Sequence, residues 1–538
     1  MNVAIIGGTR FIGPAIVAEL RDRGHEVTLV HRGTHPSPSP VPTVHADRSD
    51  VPGLRAALAS VAPDVVVHTC AMTQAHADAF VKAAPDVPVV VLSSQDVYAQ
   101  FGRLNGLDGP PPEPLITEDS PKTDWFPFRE VDGGHDDPDY SKQAVEARLA
   151  AAVTRGELPA ATVLRCPMVY GPRDTARRFG PSLDALDEGA TCLPRVATTG
   201  RITLAHVSDV AVAVALCLGV RSGMHVYNVG EAQAWSMARW VEDLAAAAGR
   251  PLTWEVTDDD DACGILGAFA NDVVVSSAKL RAERGFTEVL PRPERLRSQV
   301  RSLRRTRFAE DDRPRLVCVE GLPGAGKTTT AQWVARTLSA AGRPSRVLHE
   351  GAVDPAVGLP WSYAEAASTV RRTTLRDYPF ASWRNVPVDG VDTTVVDAKL
   401  LQNTSLFALL QELPRDHWLE LPCRALHEVS GEVLVVLLDV SDPRTHLAAT
   451  LEARSATHPE WHRFVRDFFT AQPYCRRRGW SGEEAFVGAL ADYWDWVREV
   501  WTQLPAHRFV LRDPADDWDA ALEGLADVLA AERGDRSA

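Results

Sequence analysis

Asn2-Val3-Ala4-Ile5-Ile6-Gly7-Gly8-Thr9-Arg10-Phe11-Ile12-Gly13-Pro14-Ala15-Ile16-Val17 is the stretch on which the fold turns. Apolar residues, a glycine turn and an amphipathic segment follow one another without a break, as in a buried strand that feeds a helix. Glycines at such a turn let backbone N–H groups approach a pyrophosphate, which then sits at the positive end of the helix. The cofactor-binding residues expected here are Gly7, Gly8, Thr9, Arg10, Phe11, Ile12 and Gly13. Working outward, strand-like runs recur at EVTLVH, DVVVHTCA, VPVVVLSS and ATVLRCPMVYG, with helical segments between them. That alternation predicts a Rossmann-type, doubly wound parallel sheet over residues 1–300.

A second glycine turn opens the other half. Gly321-Leu322-Pro323-Gly324-Ala325-Gly326-Lys327-Thr328 satisfies G-x-x-x-x-G-K-[ST], follows the apolar run RLVCVE and opens the helical stretch TTTAQWVARTLSAAG. In such a loop consecutive N–H groups cradle phosphates, Lys327 neutralises the β- and γ-phosphates and Thr328 coordinates Mg²⁺. The nucleotide contacts expected are Gly321, Gly324, Ala325, Gly326, Lys327, Thr328 and Thr329. RLVCVEG, SRVLHEG, TTVVDA and EVLVVLLDV read as strands of a C-terminal P-loop NTPase α/β domain, residues 315–535. Between the halves, VRSLRRTRFAEDDRPR is charged and almost without apolar periodicity, so 301–314 reads as a linker.

The composition fits an assembly of large units. The chain has 538 residues, 45% hydrophobic and 24% charged, which excludes whole-chain disorder, collagen and coiled coil and leaves apolar material for more than one core. A net charge of −15 argues against nucleic acid or an anionic membrane as a partner of the whole protein. Eight cysteines without a C-x-x-C pair indicate neither a disulfide framework nor a thiolate zinc site. With no basic leader and no 18-residue apolar run, the expected location is the cytoplasm. The acidic run Asp258–Asp261 reads as a solvated loop. Oligomeric state is left open, a homodimer being one option.

GGTRFIG at 7–13, HADRSD at 45–50, VVVLSSQDVYA at 89–99, VLRCPMVYGPRD at 163–174, HVSDVAVAV at 206–214 and YNVGE at 227–231 together resemble the extended short-chain dehydrogenase/reductase family, the NAD-dependent epimerases and dehydratases. The resemblance implies that Asp47, beside Arg48, contacts adenine, that Ser94 bonds the reacting oxygen and that Tyr140 is the acid/base. Two departures stand out. Arg10 replaces a glycine of the usual turn, and the second strand ends in Val30-His31-Arg32-Gly33 where an acidic residue normally holds the ribose. Arginines pair with a 2′-phosphate, so Arg10 and Arg32 favour NADP over NAD. The second departure concerns Tyr-x-x-x-Lys, where Tyr140 is followed four places on by Ala144, and Lys142 comes only two places after it. On a continuous helix two such residues lie about 200° apart, so Lys142 takes the ammonium's role only if the helix is broken there.

In the second half, LVVLLDVSDPRTHLAATLEAR at 434–454 and VLHEGAVDP at 347–355 resemble the thymidylate-kinase type of nucleoside and nucleotide kinases. The resemblance implies ATP and Mg²⁺ as cofactors. Glu350 is the candidate base or orienting carboxylate, Asp397 the candidate metal partner with Thr328, and Arg454 and Arg476-Arg477-Arg478 candidate lid cations. The family's Asp-Arg pair is missing, since Ala398 and Lys399 follow Asp397. The expectation is a bifunctional enzyme acting on small molecules, an NADP- or NAD-dependent epimerase, reductase or dehydratase joined to an ATP-dependent kinase of nucleosides, nucleotides or sugars. Its rivals are a degenerate dehydrogenase domain that senses NADPH and regulates the kinase, and an atypical dehydrogenase-like protein that binds RNA.

Overall fold

The computed structural model describes residues 1–34, 39–84, 86–103, 113–123, 139–174, 176–190, 192–195, 200–256, 272–308, 313–349, 380–386 and 390–530. The acidic run Asp258–Asp261 and Glu350 lie outside the described residues. The chain divides into two compact units, Met1–Leu183 with Thr191–Leu303, and Asp184–Ala190 with Arg304–Ala538. The helix Arg292–Arg305 runs into the stretch expected to be linker.

The first unit is mixed α/β with a Rossmann-like parallel sheet. Its strands are β1 (Asn2–Ile6), β2 (Glu26–His31), β3 (Thr43–His45), β4 (Val65–His68), β5 (Val89–Ser94), β6 (Ala160–Cys166) and β7 (Gly223–Asn228), in the order β7-β6-β5-β4-β1-β2-β3. All the pairings are parallel. The two-residue period of a strand is visible in the cores. Val3, Ile5, Leu29, Val65, Val67 and Val90 join one cluster, with Ile16, Val17 and Leu20 of α1 (Ile12–Asp22). Ala4, Ile6, Val30, Val66, Val89 and Val91 join the other, with Val145 and Leu149 of α2 (Lys142–Thr154). Both faces are covered, so these strands read as continuous apolar runs rather than alternating ones.

The second unit carries β8 (Leu316–Gly321), β9 (Ser345–Leu348), β10 (Thr393–Asp397), β11 (Val433–Asp439) and β12 (His507–Arg512). They form a parallel sheet ordered β9-β10-β8-β11-β12. β8 turns through the glycine loop into α3 (Lys327–Ala340). Trp494 and Trp496 are buried in the core.

In both sheets the strand that feeds a glycine turn lies where the strand order reverses: β1 between β4 and β2, β8 between β10 and β11. Ligands of open α/β sheets bind at the carboxyl ends of the strands at this switch point, because loops leaving in opposite directions open a crevice there.

One buried ion pair ties α2 to the first sheet. Arg165 donates to Glu146 from Nε at 3.0 Å and from Nη2 at 2.8 Å, and Ser93 Oγ donates to Glu146 at 2.7 Å. Burial pushes the Glu146 carboxyl up, but the hydrogen bonds from Arg165 outweigh it and hold the group below its ordinary value. Glu146→Ala leaves the Arg165 charge buried alone and is expected to destabilise the first unit by about 3–5 kcal/mol. Denaturant unfolding of the full chain measures this, and replacing both partners with apolar residues should cost less.

Candidate functional site

Gly7 and Gly8 at the end of β1 have φ of +92° and +82°, a region that favours glycine. A Cβ on Gly13 would lie 2.3 Å from the carbonyl carbon of Gly8, so only glycine lets α1 start this close to the turn. The first turn of α1 has no side-chain cap and no acidic residue. Its N–H groups are thus suited to an anion. Thr9, Arg10, Phe11 and Ile12 are partly exposed around the turn, and Arg32 is exposed at the end of β2. His31 and His45 stand in register there with ring centres 5.4 Å apart. Asp47 Oδ1 accepts the N–H of Ser49 at 2.8 Å, while Arg48 Nε donates to His76 at 3.0 Å.

At the ends of β4 and β5 the structure brings together Ser94, Tyr140 and Lys142, with a residue that sequence reasoning missed. Tyr140 Oη donates to Asp96 Oδ2 at 3.1 Å, and the Asp96 N–H donates to Ser94 Oγ at 3.3 Å. The expected obstacle of a continuous helix does not arise. α2 begins at Lys142, capped by Ser141 in an extended conformation, and Tyr140 precedes it outside the helix. Lys142 Nζ lies 6.0 Å from the centre of the Tyr140 ring and donates to the carbonyls of Ala71 at 2.8 Å and Leu92 at 3.1 Å. Burial lowers the pKa of Lys142, against the opposing pull of Asp96. Burial also raises Asp96 to about 6 and pushes the Tyr140 phenol well above its ordinary value, with the Asp96 charge adding to it. The phenol therefore stays neutral, while the Asp96 carboxyl changes charge at about pH 6. The signal available in the sequence was the position of Asp96 two residues after Ser94. An open groove of about 680 Å³ in the same unit is lined by Arg201, Trp235, Ser236, Arg239 and Glu242.

In the second unit Lys327, Thr328 and Asp397 converge. Gly324 and Gly326 have φ of +84° and +93°. Lys327 is buried, with Nζ donating to the Leu322 carbonyl at 3.1 Å. Thr328 Oγ1 donates to Asp397 Oδ2 at 2.7 Å, and His349 Nδ1 lies 3.8 Å from the same oxygen. Asp397 is buried, and its Oδ1 has no hydrogen-bond partner among the described residues. A hard cation beside Thr328 would satisfy that oxygen. The first turn of α3 has no side-chain cap and no acid. Glu320, also missed, is fully buried before the loop and accepts the N–H groups of Leu400 at 2.8 Å and Gln402 at 3.4 Å. Burial raises it to about 7. Among the described residues Arg454 lies over Trp461, 4.7 Å from the ring centre, and Arg478 lies over Tyr474 at 3.6 Å, while Arg477 pairs with Glu412 at 2.7 Å. No group of three or more His, Cys, Asp or Glu side chains among the described residues could hold a metal by itself, and no described helix is long and apolar enough to cross a membrane.

Residues 3–105 match the NAD dependent epimerase/dehydratase family. A 3-diazoavenalumate denitrifying reductase from a Streptomyces species is 27% identical over 265 residues, covering 47% of this chain and 83% of that protein. The UDP-glucose 4-epimerase of Thermus thermophilus, solved with NAD, is 23% identical, with a TM-score of 0.43 over 56% of this chain and 99% of that one. MoeE5, solved with UDP-glucuronic acid and NAD, is 24% identical, with a TM-score of 0.44 over 57% and 99%.

The raised Asp96 has a consequence for stability. The folded chain holds this proton more tightly than the unfolded chain, so the group's contribution falls as pH rises from about 4 to about 6. Asp96→Asn is expected to be more stable than the parent at pH 7 by up to about 3 kcal/mol. The gap should close below pH 4, as read from thermal melts across that range.

Proposed function

We propose that the chain is a two-part metabolic enzyme, an NAD(P)-dependent reductase- or epimerase-like domain joined to an ATP-dependent small-molecule kinase domain. One observation carries the reading: each parallel sheet sends the strand at its switch point through left-handed glycines into a helix whose first turn has no side-chain cap. Two nucleotide sites in one chain fit successive steps on one metabolite.

In the first domain, Gly7, Gly8 and the start of α1 hold the pyrophosphate, and Arg10 and Arg32 favour the 2′-phosphate of NADP. The nicotinamide, when bound, supplies or accepts hydride. Ser94 positions the substrate oxygen, Asp96 gives or takes the proton, Tyr140 orients that carboxyl, and Lys142 holds the strand ends with its charge beside Asp96. Reduction is favoured over epimerisation, because a phenol bound to a carboxylate is a poor source of phenolate. The name of the Streptomyces relative, a reductase, points the same way. In the second domain, the P-loop Gly321–Thr328 cradles the phosphates of ATP, Lys327 neutralises them, and Thr328 with Asp397 holds Mg²⁺.

A second reading, in which the first domain senses NADPH and gates the kinase, draws on the same phenol–carboxylate lock. Separate assays of the two activities distinguish the readings. Lys327→Ala is expected to lower ATP turnover by about 100-fold or more while NADPH oxidation is unchanged. Asp96→Asn should do the reverse, lowering NADPH oxidation by about 100-fold or more. Intact NADPH binding without turnover of any substrate by the parent, in a metabolite extract followed by mass spectrometry, would favour the sensor.

A further inference from the structure

The glycine loop of the second unit is held from outside by the helix that follows β11, which we label α4 (Pro443–Thr457). His446 Nε2 lies 2.9 Å from the Pro323 carbonyl oxygen and must donate to it, since a carbonyl only accepts. Thr450, one turn further along, donates to the His446 carbonyl at 2.9 Å and lies 3.4 Å from the same Pro323 oxygen. A Cβ on Gly324 would sit 2.4 Å from Thr450 Oγ1, so the Pro323–Gly324 peptide lies flush against α4.

A trans peptide is planar, with its C=O and N–H pointing in opposite directions. Holding the Pro323 carbonyl against α4 therefore aims the Gly324 N–H away from that helix. Gly324, at φ +84°, has the conformational freedom to let this peptide turn over, because it lacks the Cβ that would resist the alternative. On the far side of the loop the Leu322 carbonyl accepts from Ala325 N–H and from Lys327 Nζ, both at 3.1 Å. Neither bond fixes the Pro323–Gly324 peptide.

We propose that His446 is a positioning residue of the phosphate site, which pins the Pro323 carbonyl to α4 so that the Gly324 N–H stays aimed at the phosphates of a bound nucleotide. The proposal rests on the P-loop reading above. An imidazole with a proton on Nε2 makes the bond, and so does a glutamine amide, whereas alanine does not. His446 acts on the loop without itself touching the ligand, which separates its role from that of Lys327.

The test is calorimetric titration of the full chain with inorganic tripolyphosphate and Mg²⁺, a probe without base or ribose, on the parent, Lys327→Ala, His446→Ala and His446→Gln. Expected are tight binding by the parent, loss with Lys327→Ala, affinity weakened about tenfold by His446→Ala, and recovery to within about threefold by His446→Gln. Melting temperatures of the His446 variants close to that of the parent exclude a general loss of fold. Parent-like affinity in His446→Ala overturns the proposal, and so does equal weakening in both His446 variants, which would mark the site as one of shape rather than hydrogen bonding. If the parent does not bind tripolyphosphate, or Lys327→Ala binds it equally well, the P-loop reading itself fails and takes the proposal with it.

Discussion

A parallel strand that passes through left-handed glycines and becomes a helix within a few residues is the constraint on which both halves of this chain depend. Backbone N–H groups at such a turn have no intrahelical partner, and the helix behind them adds a positive end. The turn closes only if side chains are absent where the backbone folds on itself. At Gly13 a single added carbon would overlap the Gly8 backbone, and at Gly326 it would lie 2.5 Å from the Trp518 ring. The rest of each sheet then has one task, to hold that strand at the switch point and bury it on both faces, which the apolar runs of β1 and β8 allow.

Those runs are why much of the fold was legible. A strand buried on both faces is apolar throughout, and VAII, VVVH, VVVLSS and VLVVLLD announce themselves without reference to the rest of the chain. The strands that escaped notice are different in kind. Thr43–His45 is short and lies at the sheet edge, with a partly exposed surface, while Gly223–Asn228 begins half-exposed and His507–Arg512 carries polar ends. Each belongs to its sheet because a neighbour is there to pair with, and such pairing leaves little trace in local composition.

The candidate sites divide along the same line. Lys327, Thr328 and Asp397 could be named because motif spacing or a strand end fixes where they point. Asp96, Glu320 and His446 could not. Asp96 belongs to a short turn after β5, and its partner Tyr140 lies 44 positions away in sequence. Glu320 is bonded to N–H groups 80 and 82 positions further on, and His446 to a carbonyl 123 positions back. Lys142 meets the condition its spacing set, a break in the helix, because Ser141 is the helix cap and helical spacing does not apply across a cap.

The Asp96–Tyr140 contact also decides which group can handle a proton. Tyr140 is buried and Asp96 partly so, and each prefers to be neutral where water is scarce. Only one can lose its proton without leaving two negative charges about 3 Å apart, and the carboxylic acid, being the stronger acid, is the one that does. The phenol then spends its own proton on the carboxylate. When the carboxyl takes up a proton, it no longer needs the phenol's hydrogen, and the pair can present an acidic hydrogen to a third atom. Under the proposed function, delivery of a proton would be coupled to the charge of Asp96, with Lys142 nearby to favour the return of the ionised state. Under the reductase reading proposed above, such a pair would supply the proton that a carbonyl oxygen takes up when its carbon receives hydride.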